Sequence, residues 1–387
     1  MLKTPKLRFK DKNGNAYPEW SQEKIGNLTK IYDGTHQTPK YTDKGIKFLS
    51  VENISDIQAS NKFISEEAYN SEFKVKPEVN DILMTRIGDI GTPALVNTNE
   101  QYAYYVSLAL IKCSRELFPN WLVQAILSNG FQKQLYKRTL HVAFPKKINK
   151  GEIGECIVNY PCIEEQEKIA GFLSKVDELI NECESEVKDL EEQKKGLMQK
   201  IFSQQIRFKD SNNNPYPDWE EKYVNEVCDI STGKGNTQDK EDNGIYPFYV
   251  RSAIIERSNK YIFDGEAVLT VGDGVGTGKV YHYVNGKFNF HQRVYKMSNF
   301  NGILGKYFYY YFSTHFYDRV KKMTAKTSVD SVRLEMISKM TLLIPCLEEQ
   351  EKIAKVLSKM DELIEEKKAL LSDWQQFKKG LLQQMFV

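Results

Sequence analysis

The chain has 387 residues, 41% hydrophobic and 27% charged, too long for one ordinary core and long enough for two. Its formal net charge of +2 argues against a uniformly basic nucleic-acid binder and leaves room only for basic patches. Six cysteines with no CxxC and no histidine pair at zinc spacing predict neither disulfide nor metal site, and no run of about 20 apolar residues is present to cross a membrane.

The amino terminus, MLKTPKLRFKDKNGN, lacks the apolar h-region of a secretion signal, so a cytoplasmic protein is expected. A turn-rich cap, LRFKDKNGNAYPEW, occupies 7–20. Apolar, aromatic and β-branched runs broken by Gly, Asn and Asp then predict strands, among them GIKFLSVENI, DILMTRIG and YYVSLALIKC. A helical stretch is predicted over 120–140, followed by a basic loop and a last strand ending at Pro161. Beyond it the seam positions step four and three: Ile169, Leu173, Val176, Ile180, Cys183, Val187, Leu190, Lys194, Leu197, Ile201. This spacing predicts a coiled-coil helix of about 39 residues, roughly 58 Å long.

The chain then repeats its plan. The cap returns as IRFKDSNNNPYPDW at 206–219, strand-like runs return in GIYPFYVRSAII, AVLTVGDG and KVYHYV, and a helical stretch is predicted over 301–323. PCIEEQEKIAGFLSKVDELI at 161–180 comes back as PCLEEQEKIAKVLSKMDELI at 345–364, identical at 16 positions. The heptads return too, at Ile353, Leu357, Met360, Ile364, Lys367, Leu371, Trp374, Lys378, Leu381 and Met385. Such long-period self-similarity predicts two α+β bodies in pseudo-twofold arrangement, separated by two long antiparallel coiled-coil helices. The expected divisions are 1–160, 161–205, 206–344 and 345–387. Antiparallel helices would bring the chain's end beside its start, where KLRFKD stands in for the RFKD that follows the first helix, so the chain reads as circular.

Charge is unevenly spread: 164–202 carries −5 and 348–386 carries −1, leaving +8 on the rest. The bodies are therefore expected to face phosphate and the helices to face protein. Candidate DNA contacts are Lys40, Tyr41, Arg86, His141, Lys146 and Lys147 in the first body, and Lys234, Arg251, Lys279, His291, Arg293, Lys326 and Arg333 in the second. Arg and Lys serve either guanine edges or phosphates. Helix capping accounts for acidic residues in a first turn, but not for one string occurring twice. Glu164, Glu165, Gln166 and Lys168, with Glu348, Glu349, Gln350 and Lys352, are thus expected to form a repeated partner-binding surface. Lys194 and Lys378, at equivalent seam positions, are expected to set register.

Catalytic motifs fail on inspection. VGDGVGTGKV at 271–280 places Asp273 where a phosphate loop needs glycine and Val280 where it needs Ser or Thr, so a glycine-rich hairpin is expected. Asn214, Pro215 and Tyr216 echo an amino-methyltransferase tetrapeptide, but Asn15, Ala16 and Tyr17 hold the same place in the first copy, which predicts a structural turn. Pro217, Asp218 and 220–222 loosely echo a nuclease signature, yet the elements are adjacent where separate strands are needed. No active site is predicted.

Two unlike α+β bodies, each followed by a P-C-[IL]-E-E-Q-E-K-I-A helix with heptads and KKGL at 194–197 and 378–381, resemble the specificity subunit of type I restriction-modification systems. The likeness spans the whole chain, and VGDGVGTGKV is similar to a stretch recurring in the target recognition domains of that family. It implies a non-catalytic subunit in which each body reads half of a bipartite site in double-stranded DNA. It also implies that the helices fix the gap and dock two methyltransferase subunits, with restriction/translocase subunits attached to that core. AdoMet, ATP and Mg2+ are then expected on those other subunits and no cofactor on this chain. A coiled-coil scaffold joining two protein-binding domains and a stand-alone DNA-modifying enzyme are the rival readings.

Overall fold

The computed structural model describes residues 5–274, 276–323 and 331–386. The chain divides into two compact units, Met1–Glu184 with Ala369–Val387, and Ser185–Lys368. The first body runs β1 (Ser21–Lys24), α1 (Ile25–Leu28), β2 (Thr29–Asp33), β3 (Tyr41–Thr42), β4 (Ile46–Leu49), β5 (Phe63–Ile64), α2 (Glu66–Glu72), β6 (Ile82–Ile87), β7 (Asp89–Leu95), β8 (Tyr102–Tyr104), β9 (Leu108–Cys113), α3 (Pro119–Leu127), α4 (Asn129–Arg138), α5 (Lys150–Gly154) and β10 (Ile157–Tyr160), then enters α6 (Ile163–Phe202). The second runs β11 (Glu220–Tyr223), α7 (Val224–Val227), β12 (Asp229–Thr232), β13 (Tyr246–Tyr249), β14 (Ile255–Ser258), β15 (Phe263–Val271), β16 (Tyr281–Phe290), β17 (Val294–Ser298), α8 (Gly305–Met323), α9 (Leu334–Ser338) and β18 (Thr341–Ile344), then enters α10 (Leu347–Met385).

Both bodies are α+β, and they share a frame that their sequences conceal. Each is closed by an antiparallel ribbon of its first and last strands, β1 with β10 and β11 with β18. The order β2-β9-β6-β7 in the first matches β12-β17-β15-β16 in the second. A parallel pair recurs: Leu49 lies opposite Tyr104, and Tyr249 opposite Phe290. The difference is one of continuity. In unit 2 the ten-residue β16 pairs with both β15 and β13, giving one six-stranded sheet; in unit 1 that path is split into β7 and β8, giving two four-stranded sheets.

The helical stretch expected over 120–140 is two helices. Ser128 takes extended φ/ψ, ends α3 and accepts a hydrogen bond from the Phe131 amide, capping α4. Its equivalent in unit 2, α8, is unbroken and buries Tyr307, Phe308, Phe312 and Phe316 in the core.

The first turns of each long helix belong to the body before it: Ile169, Leu173 and Val176 are buried with Trp20, Trp121 and Ile153, and Ile353 and Leu357 with Tyr307 and Met336. The closing turns of the opposite helix join the same cores, Leu381, Met385 and Phe386 in unit 1 and Ile201 and Phe202 in unit 2. The helices are therefore shared between the units instead of forming separate domains, because their ends bury apolar surface on the bodies.

Between those ends the heptad seam holds, and pairing is antiparallel within each unit. In unit 1 Lys378 pairs with Asp177 at 2.5 Å, and Gln375 donates to Glu184 at 3.2 Å. In unit 2 Lys367 pairs with Glu186, Lys368 with Glu191, and Lys194 with Asp361. The two seam lysines each find an aspartate on the opposite helix, as a register-setting role requires. Each aspartate is also held by its body: Gln124 donates to Asp177 at 2.9 Å, and Tyr310 to Asp361 at 2.6 Å.

Candidate nucleic-acid interface

The two sequence repeats prove to be halves of one intrachain clasp. Glu165 is fully buried (0% exposed) and accepts from Arg8 Nε at 3.1 Å, Arg8 Nη2 at 2.7 Å and Trp20 Nε1 at 3.3 Å. In unit 2 Glu349 accepts from Arg207 Nε at 3.2 Å, Arg207 Nη2 at 2.8 Å and Trp219 Nε1 at 3.0 Å. Gln166 caps the end of the β9–α3 link by accepting from the Phe118 amide at 2.8 Å, and Gln350 does the same for Leu304 at 2.8 Å. Lys168 and Lys352 donate to the carbonyls of Lys10 and Lys209 and sit over the rings of Tyr17 and Tyr216.

The cap itself is built on Asp11, which accepts from the amides of Asn13 and Asn15, and on Asp210, which accepts from those of Asn212 and Asn214. These bonds, the Asn15 and Asn214 amides foremost, hold both carboxyls below their usual range. Gly14 (φ 85°) and Asn213 (φ 66°) fill the left-handed position of that turn.

This corrects the expected partner surface. Glu165 and Glu349 are buried against their own caps, because a desolvated carboxylate must be paired inside the unit that buries it, and Gln166 and Gln350 are buried against backbone of their own bodies. Lys168 and Lys352 are engaged in the same clasp, and of the eight only Glu164 and Glu348 are freely exposed.

The candidate DNA contacts gather on loops that leave the shared frame at equivalent places. In unit 1 Gly34 follows β2, and the Thr35–Tyr105 bridge has its counterpart in Gly235–His291 of unit 2. The Ile87–Lys147 bridge has its counterpart in Asp273–Ser331. Gly34 and Gly233 are both required there, since a Cβ would fall within 2.5 Å of Tyr104 O in one and 2.1 Å of Phe290 O in the other.

Arg86 departs from expectation. It is 6% exposed, pairs with Asp33 and donates from Nε to Ile148 O at 3.0 Å, so its charge is spent inside the fold. It is a positioning residue: the loop carrying Lys40 and Tyr41 starts at Asp33, and the loop carrying His141, Lys146 and Lys147 ends at Ile148. Those five side chains are exposed, with the His141 ring 4.4 Å from that of Tyr136.

In unit 2 a cleft of about 460 Å³ is lined by Asn236, Arg251, Asp273, His291, Gln292 and Arg293. Arg251 and Arg293 flank Asp273 at 3.7 and 3.6 Å, and Gln292 donates to Asn236 at 2.8 Å. His291 is the second departure: it is buried, and its Nδ1 accepts from the Arg293 amide at 3.0 Å. Burial first, then the Arg251 and Arg293 charges, hold its imidazole below the ordinary value. It shapes the cleft floor from within. Lys234, Lys279 and Arg333 are exposed, Lys279 lying 5.3 Å over the Tyr317 ring. Lys326 lies outside the described residues.

Sequence reasoning missed Asp273, Asn236 and Gln292. A carboxylate repels phosphate, so two guanidinium groups, two amides and one carboxylate together match the mixed donors and acceptors of base edges better than a phosphate row. An acidic residue within an otherwise basic, glycine-rich loop was the available signal. Among the described residues no group of three or more His, Cys, Asp or Glu is placed to hold a metal ion, and no helix is long and apolar enough to cross a membrane.

A duplicated α+β frame with unlike loops, clasped onto shared helices, defines a tandem-unit protein. Residues 216–372 match the type I restriction modification DNA specificity domain. The chain is 26% identical over 420 residues to the MjaVIII type I restriction enzyme specificity subunit of Methanocaldococcus jannaschii, covering 97% of this chain and 94% of that protein. It is 30% identical over 169 residues to the Escherichia coli EcoDI specificity subunit, 43% of this chain and 36% of that one. Its fold is similar to the crystal structure of the type I restriction-modification S subunit from M. genitalium, with a TM-score of 0.67 and 16% identity over 100% of this chain and 99% of that chain. Along nearly its whole length the chain is similar to type I restriction-modification specificity subunits, and the scaffold and stand-alone enzyme readings gain no support.

Proposed function

We propose that this chain is the DNA-reading subunit of a cytoplasmic type I restriction-modification complex, each unit reading one half of a bipartite duplex site. The observation that carries this is the repetition of one backbone frame, register for register, beneath loops whose side chains differ. A constant frame fixes how each unit meets the duplex, and divergent loops let the two units read different base edges. The Arg251, Arg293, Asp273, Asn236 and Gln292 cleft supplies base-edge contacts in unit 2. Lys146, Lys147 and Lys40 supply phosphate contacts in unit 1, and Lys234, Lys279 and Arg333 do so in unit 2.

Helices α6 and α10 set the gap between half-sites and, with the rims of the bodies, dock two methyltransferase subunits to which restriction/translocase subunits attach. AdoMet, ATP and Mg2+ act on those other subunits. Co-expression with the methyltransferase subunit of its system and genome-wide mapping of adenine methylation tests the reading. A split motif with a fixed gap is expected, and exchange of one body should change one half alone. Inserting one heptad in each helix should lengthen the gap and leave both halves intact. An unsplit motif, or one unaffected by body exchange, overturns it.

A further inference from the structure

We propose that the 140–147 loop of unit 1 is a wedge: Phe144, with Val142 beside it, inserts between adjacent base pairs of the bound duplex and unstacks one step, while Lys146 and Lys147 hold the flanking phosphates. The inference rests on unit 1 reading DNA, and it names how.

The loop presents apolar surface to water where the fold gives no reason for it. Phe144 is 103% and Val142 98% exposed. A single exposed apolar residue is ordinary, but two fully solvated ones at one loop tip mark a surface meant to be covered. Nor is the tip slack chain. Leu140 N donates to Lys147 O at 2.8 Å, Gly88 N to Lys146 O at 2.8 Å, and Ile148 N to Arg86 O at 3.0 Å. The base of the loop is thus fastened to the β6–β7 hairpin and to the buried Arg86–Asp33 pair. An open cavity of about 410 Å³ lies beside that base, lined by Ile90, Gln132, Tyr136, Thr139, His141 and Lys146, yet the Phe144 ring does not occupy it.

Charge selects the occupant. His141, Lys146 and Lys147 lie on the loop itself, Lys133 lines the cavity beside it with His141 and Lys146, and Arg138 is matched by Glu152 at 3.1 Å. An apolar tip with lysines at its base suits a polyanion with a hydrophobic interior, which describes stacked DNA. Apolar wedges of this kind enter base steps, and flexible pyrimidine–purine steps yield most readily. The wedge would add specificity for deformability at a step whose edges no polar group need read.

The test uses the full chain in complex with its methyltransferase subunits and a short duplex selected by that complex from a randomised pool. 2-Aminopurine is placed in turn at each position of the half-site assigned to unit 1, and a donor–acceptor dye pair marks the duplex ends. Binding should raise 2-aminopurine emission at one step and shorten the end-to-end distance. F144A should abolish both and weaken specific binding about 5- to 140-fold, the range for losing one stacked base. The slope of log affinity against log salt should stay the same, because a phenyl ring releases no counterion. K146A/K147A should lower that slope by about 1.8 and keep the emission change in the bound complex. Phe144 contributes nothing to the core, so F144A leaves folding intact.

Wild-type binding without an emission change, or F144A binding as tightly as wild type, overturns the wedge alone. F144A shedding methyltransferase subunits while keeping the emission change assigns the tip to protein docking instead. A wild-type complex that selects no duplex overturns the reading of unit 1 and the wedge with it.

Discussion

Arg8→Ala should destabilise unit 1 by about 3–5 kcal/mol, the cost of leaving a buried charge without its partner. The magnitude follows from the clasp. Glu165 is inaccessible to water, and Arg8 supplies two of its three side-chain donors, at 3.1 and 2.7 Å. What remains is Trp20 Nε1 at 3.3 Å, too little to solvate a carboxylate. Arg8 Nη2 also donates to the carbonyl of Pro18 at 2.7 Å, so the cap loses its closure as well. For a unit of about 200 residues each kcal/mol shifts the midpoint by roughly 2–4 °C, which gives a fall of about 10 °C. The assay is thermal and denaturant unfolding of R8A, E165A and R8A/E165A, with R207A and E349A as the parallel set in unit 2. The double variant should be less destabilised than the sum of the singles, because the buried charge goes with its partner. Additive effects, or an R8A change below about 0.5 kcal/mol, would refute the clasp. So would E165Q with E349Q dissociating the subunits while unfolding is unchanged, since that is the behaviour of a docking surface.

Reversing Lys378 with K378D should cost about 2 kcal/mol, between surface and buried pairs, and D177K added to it should recover most of the loss in a denaturant titration. A circular permutant opened at 203–205 and rejoined from 386 to 7 by a three-residue link should fold with a midpoint within a few degrees of the parent. The reason is that Leu7 N already donates to Gln384 O at 3.0 Å, as Ile206 N does to Lys200 O at 3.1 Å in the equivalent covalent junction. Burial holds the His282 imidazole down to about 4 from 6.5. The unfolded chain therefore binds the proton more readily. Stability is complete above about pH 6.5 and falls as pH drops toward 4, by about 3 kcal/mol, and H282L should flatten that loss in pH-dependent melts.

Much of this protein is legible in its sequence because repetition and periodicity are local signals. The strings at 161–180 and 345–364, and the four-three stepping behind them, announce two units and two helices without any coordinate. Lys194 and Lys378 stand out as polar interruptions of an apolar stripe, and their aspartates lie on the opposite helix as antiparallel pairing demands. The basic loops were visible as well, since exposed Lys and Arg beside glycine and aromatic residues carry their own explanation.

The tertiary structure decided which charges are available. Glu165 and Glu349 look like surface carboxylates in a first helical turn, and Arg86 and His291 look like base readers, because sequence shows residue type and not solvent access. Each is buried, and for the three charged ones the partner lies far along the chain: Arg8 is 157 residues from Glu165, Arg207 is 142 from Glu349, and Asp33 is 53 from Arg86. Long-range pairing of that kind leaves no spacing to read. The common frame of the two bodies was hidden for a related reason: backbone hydrogen bonds such as Tyr105 N to Leu49 O and His291 N to Tyr249 O hold register while leaving side chains free to change. Sequence thus determined the repeated plan, the helices and their pairing, whereas only folding, by burying some charges and leaving others in water, decided which residues clasp each unit shut and which remain exposed.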